Sequence, residues 1–113
     1  MVSGRAQALM VLLSPVFSST MAQIAWFAIQ NKIPMMAPYQ KNSGALITYQ
    51  ADMSYVSRRL AVFVNKILKG ASPGGLPVET PSNSRLTINL KTAKALGLAV
   101  PERVIHQADD LIE

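Results

Sequence analysis

Cysteine is absent from the 113 residues, and histidine occurs once. A disulfide framework, a thiolate-ligated zinc site, a cysteine nucleophile and a dithiol redox motif are therefore excluded together, as is a multi-histidine metal site within one chain. Lack of cysteine does not fix the compartment, because reduced and oxidised proteins alike can lack it. Long apolar runs are also missing. No unbroken run exceeds the six residues of Ala8–Leu13, whereas a membrane-spanning helix needs ~20. Charge is sparse, at 15% of residues, with eleven Lys+Arg against six Asp+Glu and a net charge of +5. Half of the chain is apolar, which is too much for intrinsic disorder. The positive balance favours solubility without selecting a partner. At this length the chain is one domain or less.

Arg5, the Ala8–Leu13 run and the small residues Ser18-Ser19-Thr20-Met21-Ala22 loosely resemble a signal peptide. Ser14-Pro15 interrupts that apolar core, and a buried strand leading into a helix explains the same letters better. On that reading the chain carries no export signal of its own.

Ala8–Leu13 is apolar at every position, as a parallel strand covered on both faces would be. Ser18, Ser19 and Thr20 offer caps for a helix over Met21–Gln30, where Met21, Ile24, Ala25, Ala28 and Ile29 recur at helical spacing. Pro34 and Pro38 bound a second apolar run, Met35-Met36-Ala37, so the opening third reads as a βαβ unit with a parallel pair. Trp26 and Phe27 are expected to pack this helix onto the sheet or onto a partner chain.

A third strand is expected at Ala45–Tyr49. Asp52 then caps a helix whose apolar stripe is Met53, Val56, Leu60, Phe63, Val64 and Ile67, with Gly70 as its C′ residue. Arg58, Arg59, Lys66 and Lys69 form a basic strip, read as a solvated outer face because no nucleic-acid motif or interleaved aromatic array accompanies it. Residues 71–84 contain three prolines and two glycines and read as a crossing segment without regular structure. Gly74-Gly75 there is not a phosphate loop, since no GK[ST] follows. Leu86, Ile88 and Leu90 alternate with Thr87 and Asn89, predicting a half-buried strand. A short helix follows over Thr92–Leu96, ending at Gly97. Pro101 suits position N1 of a last helix, whose buried face is Val104, Ile105, Ala108, Leu111 and Ile112.

His106, Asp109 and Asp110 lie at helical spacing on that last segment. They are metal ligands or, far more economically, a solvated face, since a metal site needs further ligands. No Ser has the strand–turn–helix context of a nucleophile elbow. One constellation is more pointed. The carboxyl ends of the parallel strands carry Ser14, Phe17, Tyr39, Thr48, Tyr49 and Asp52. Ligands of open α/β sheets bind outside those ends, and hydroxyls, aromatic rings and one carboxylate suit a small polar or amphipathic ligand. The same residues also read as ordinary caps and turns, and composition alone does not separate the two.

The run Val64-Asn65-Lys66-Ile67-Leu68-Lys69-Gly70, then Leu76-Pro77-Val78-Glu79-Thr80-Pro81, then Ile88-Asn89-Leu90-Lys91-Thr92-Ala93-Lys94-Ala95-Leu96-Gly97-Leu98, and finally Ala108–Glu113, resembles the C-terminal portion of the substrate-binding proteins of ABC transporters. More narrowly, it is similar to the subfamily with tryptophan- and tyrosine-type binding components. The resemblance covers nearly the whole chain. It implies an α/β fold: a three-layer fragment of a periplasmic-binding-protein-like lobe with a mostly parallel sheet, residues 1–113 forming a single partial domain crossed by the 71–84 segment. It further implies a periplasmic solute-binding component without catalytic residues or cofactor, whose partners are a small-molecule solute such as an amino acid and a membrane permease. The chain departs from the family pattern at Ser43-Gly44-Ala45-Leu46-Ile47-Thr48-Tyr49-Gln50, where Tyr49 is kept but the usual glycine is replaced by Gln50. A few strands without the rest of a wider sheet leave an open edge and an uncovered face, so a homodimer is expected. The rival reading is a folded remnant or oligomerisation module without a ligand site.

Overall fold

The computed structural model of the protein describes residues 6–38 and 43–113. Contacts divide the chain into two compact units, Met1–Gln50 with Arg85–Glu113, and Ala51–Ser84.

The first unit is built on a mixed five-stranded sheet with helices on both sides, the expected three-layer α/β lobe. Its strands are β1 (Leu9–Met10), β2 (Met35–Ala37), β3 (Ile47–Ala51), β4 (Ser84–Asn89) and β5 (Asp110–Ile112), in spatial order 1-2-3-4-5. β3 and β4 each reach one residue into the second unit. β1–β2, β2–β3 and β4–β5 are parallel, with Met10 beside Met36 and Ala37 beside Thr48. Between β3 and β4, the Asn89 N–H donates to the Leu46 carbonyl and the Asp52 N–H to the Asn83 carbonyl, each at 2.9 Å. Residue numbers rise along one strand as they fall along the other, so this pair is antiparallel.

The βαβ expectation holds. α1 (Pro15–Ser18) and α2 (Met21–Gln30) connect β1 to β2, and Pro34 delivers the chain into a strand whose Met35 and Ala37 are buried. α2 buries Met21, Ala25 and Ala28 against Val11, Met35, Ala37 and Ala45. Alanine dominates this contact, which lets the helix lie close: a Cβ on Gly44 would come within 3.3 Å of the Ala25 Cβ. A second cluster joins Leu46 to Ala93 and Leu96 of α4 (Leu90–Leu96). Lys32, in left-handed conformation (φ 56) after α2, donates from Nζ to the Ala95 carbonyl at 2.7 Å and ties the two helix ends together. A cation on the last carbonyls of α4 also suits its dipole. Gly97 caps α4 at φ 73, a conformation that costs glycine little.

Four expectations fail here. The strand expected over Ala8–Leu13 is laddered only at Leu9–Met10, because Ser14-Pro15 turns the chain into α1 and leaves Leu12 and Leu13 exposed. β4 is not half-buried in alternation: Thr87 and Ile88 are both buried, since β4 lies between β3 and β5, and Leu90 already belongs to α4. The last helix is one short turn, α5 (Glu102–Ile105), with Pro101 as its N-cap and not at N1. The apolar residues beyond it form β5, because the free edge of β4 takes a parallel partner there: Thr87 pairs with Asp110 and Ile88 with Leu111. Trp26 is 64% and Phe27 41% exposed, so the first half of their expected role, packing onto the sheet, is not met by Trp26, and the other half, packing onto a partner chain, is left to the oligomeric state.

The second unit is α3 (Met53–Leu68) with its return segment. The Asp52 carboxylate accepts from the Ser54 N–H at 2.8 Å and the Tyr55 N–H at 3.2 Å, as an N-cap should. Gly70 at φ 97 closes the other end. Residues 71–84 contain one short 3₁₀ turn, Pro73–Gly75, and are otherwise irregular up to the start of β4. The segment is held by a two-pronged Arg59–Glu79 ion pair, which raises the arginine pKa and lowers that of the carboxyl through their hydrogen bonds.

Candidate functional site

Parallel pairing sets the ends of β1, β2 and β3 side by side, and Ser14, Phe17, Thr48 and Tyr49 of the first unit follow or belong to those strands. Ser14 begins α1: its carbonyl accepts from the Phe17 and Ser18 N–H groups at 3.1 Å each, while its hydroxyl caps nothing. Ser14 as a residue is half-buried. Phe17 follows one turn later and is 43% exposed. On β3, alternation sends Thr48 inward and Tyr49 outward. Tyr49 is 51% exposed, whereas Thr48 is buried and its Oγ1 has no hydrogen-bond partner. Tyr39 lies outside the described residues. Asp52 falls in the second unit, and its carboxylate is occupied with capping α3.

Buried hydroxyls almost always find a partner, because desolvating one without a hydrogen bond is costly. Thr48 thus departs from ordinary core chemistry. The exposed rings of Phe17 and Tyr49 do so too, since each leaves apolar area in water. The arrangement offers ring faces and hydroxyl donors. Among the described residues it presents no nucleophile–base pair, and no cluster of three acidic or histidine side chains could hold a metal. His106 is exposed after α5, Asp109 accepts the Leu86 N–H at 2.7 Å, and Asp110 lies in β5, so the three do not share a helix face.

Sequence reasoning missed a groove of about 600 Å³ in the first unit. It runs beside β1, from Leu9 and Met10 to Phe17, Ile24 and Phe27, with Thr20 and Gln23 its polar lining residues. Its signal is visible in retrospect: residues 6–31 contain no charged side chain. It shares Phe17 with the sheet-end constellation.

A model of the family described as ABC transporter substrate binding protein matches residues 1–112. The chain is 30% identical over 97 residues to a tyrosine-binding protein of Clostridioides difficile (strain R20291), a match that takes in 84% of this chain and 28% of that one. Among solved structures, a conserved domain protein from Vibrio cholerae aligns over 97% of this chain and 38% of its own, with 26% identity and a TM-score of 0.85. An ABC domain in complex with L-Trp from Streptococcus pneumonia aligns over 99% of this chain and 38% of its own, with 25% identity and a TM-score of 0.85. The chain thus spans well under half the length of these relatives.

Proposed function

Because the chain belongs to the family of ABC transporter substrate-binding proteins, we propose that it supplies the C-terminal part of a solute-binding component of an ABC-type importer. The solute is a small amino acid of the aromatic class, and the role is binding without catalysis or cofactor. The observation that carries this reading is the pair of exposed rings, Phe17 and Tyr49, beyond β1 and on β3. The unpartnered Thr48 hydroxyl adds a polar group. Relatives bearing the names tyrosine-binding protein and L-Trp complex agree with this solute class. A periplasmic or extracellular place and a membrane permease as partner follow from the family role.

The test is a thermal-shift titration of the purified chain with amino acids, with its mass in solution measured alongside. Stabilisation by tyrosine or tryptophan that grows with concentration, as mass action requires, supports the reading. Flat shifts across all amino acids would remove it for this chain.

A second reading is favoured by the open groove beside β1. There the chain is a folded remnant or oligomerisation module, a homodimer covering that groove, with no solute site of its own. A stable dimer with flat thermal shifts supports it, and a monomer at micromolar concentration would sink it.

A further inference from the structure

Two hydrogen bonds fix the register of β3 against β4: the Asn89 N–H donates to the Leu46 carbonyl, and the Asp52 N–H to the Asn83 carbonyl. From such a bonded pair, the residues of antiparallel strands step in opposite directions. Two steps from Leu46 and Asn89 set Thr48 directly opposite Thr87, and two more set Gln50 opposite Arg85. Opposed residues share a face of the sheet, as do residues two apart along a strand. Thr48, Thr87, Gln50 and Arg85 therefore form two rows on one face, all within the first unit.

Thr48 is 6% exposed and Thr87 3%. Threonines that face each other across strands ordinarily hydrogen-bond, and a buried hydroxyl without a partner is costly. Neither Oγ1 has a hydrogen-bond partner among the described residues. These two atoms are the buried side-chain polar atoms so left among the described residues, and the register puts them side by side. Asp110 stands next along the strip, opposite Thr87 in β5, but Arg85 holds both of its carboxylate oxygens. Thr87 adds the least of the contributions that lower the Asp110 pKa, behind the Arg85 hydrogen bond, and closes no hydrogen bond of its own geometry with it.

Two undonated O–H protons select the partner. An ammonium would meet the hydroxyl lone pairs and leave both protons bare. A carboxylate accepts both, in charge-assisted bonds that are stronger than neutral ones. The adjoining row on the same face is less buried: Gln50 is half-buried and Arg85 is exposed. An anion approaching from that end meets an amide and a guanidinium before the hydroxyls.

We propose that Thr48 and Thr87 form a cross-strand hydroxyl clamp for the carboxylate of the solute, which makes Thr87, on β4, a solute-binding residue. The inference rests on the solute reading above and deepens it by naming the group that is held and the second residue that holds it. The stability lost by keeping two bare donors together is then the cost of a preformed site.

The experiment is a set of thermal-shift titrations with tyrosine and tryptophan, and with tyramine and tryptamine, which keep the ring and the ammonium but lack the carboxylate. The unaltered chain, Thr87→Val and Thr87→Ser are compared. Without solute, Thr87→Val melts at the same temperature as the unaltered chain or slightly above it, because a desolvated hydroxyl is removed at nearly constant shape. With solute, Thr87→Val needs at least about tenfold more tyrosine or tryptophan for the same shift, as loss of a hydrogen bond to a charged group predicts. Thr87→Ser restores the response, and tyramine and tryptamine shift none of the three chains. A full response in Thr87→Val, or equal shifts from tyrosine and tyramine, overturns the clamp and leaves the solute reading standing. A clear fall in the melting temperature of Thr87→Val without solute also overturns it, by showing that the hydroxyl serves an internal partner. An unaltered chain that no amino acid stabilises removes the solute reading and the clamp together.

Discussion

Arg85 and Asp110 meet across the β4–β5 pair with both prongs of the guanidinium engaged: Nε lies 2.5 Å from Oδ2 and Nη2 lies 3.1 Å from Oδ1. The contact sits where sequence periodicity places a helix, and it belongs to a strand. The hydrogen bond from Arg85 holds the Asp110 carboxyl below its ordinary range. A carboxyl with a lowered folded-state pKa adds stability above its unfolded pKa, and that stability is lost as pH falls through the folded value.

Replacing Asp110 with Asn therefore lowers thermal stability at neutral pH by a small amount, under about 1 kcal/mol for so exposed a pair. The difference from the unaltered chain shrinks as the solution is taken below the ordinary carboxylate range. Thermal melts at neutral and acid pH check this; a difference that persists or widens in acid would remove the ion pair from the account.

Asp52 serves α3 as its N-cap. Asp52→Ala should cost about 1 kcal/mol in urea unfolding, and Asp52→Ser should recover most of that. If Asp52 is a cap and not a solute contact, Asp52→Ser also keeps any amino-acid-dependent rise in melting temperature. Loss of that rise in an otherwise stable Asp52→Ser chain would return Asp52 to the binding residues.

Gly44 and Gly97 are both left-handed, at φ 77 and φ 73, but only Gly44 is crowded, with Ala25 in its way. Gly97→Ala should cost about 1 kcal/mol from backbone strain alone. Gly44→Ala should cost more, because α2 must also move. Equal losses in denaturant melts would mean that α2 is less closely seated than its alanine contact implies.

Thr48 carries a buried hydroxyl with no partner. Thr48→Val removes that desolvated group at nearly constant shape, so stability should be unchanged or slightly higher. The proposed solute role makes the opposite prediction for ligand: the amino-acid-dependent thermal shift should fall in Thr48→Val and in Tyr49→Ala. A shift unchanged in both variants would move the site away from β3.

Local physics made several elements legible in the residues. Asp52 and Gly70 bracket a stripe at helical spacing, and the capped helix between them forms as read. Pro34 and Pro38 isolate three apolar residues that pair in parallel with β1 and β3. Phe17, Thr48 and Tyr49 lie in or just beyond runs that the residues themselves mark as strands. The tail departs from its expected helix because Leu111 and Ile112 satisfy helical spacing as well as a strand does, and a three-residue strand exists only where a neighbour offers its edge.

The sequence by itself determined the chemistry this chain lacks, the Asp52-capped helix and the βαβ start of the sheet, because caps, breakers and periodicity act over a few residues, although the hydroxyl expected to cap α2 at Thr20 makes no such bond. Tertiary structure decided what spacing cannot express. It made β5 a strand by pairing Asp110–Ile112 with β4. It closed β4 over on both sides and buried Thr48 without a partner. It also left no residue of α3 fully buried, although its stripe reads like that of any packed helix. Burial and pairing are properties of what lies alongside a segment in space, and the segment's own letters state only what it would offer to such a neighbour.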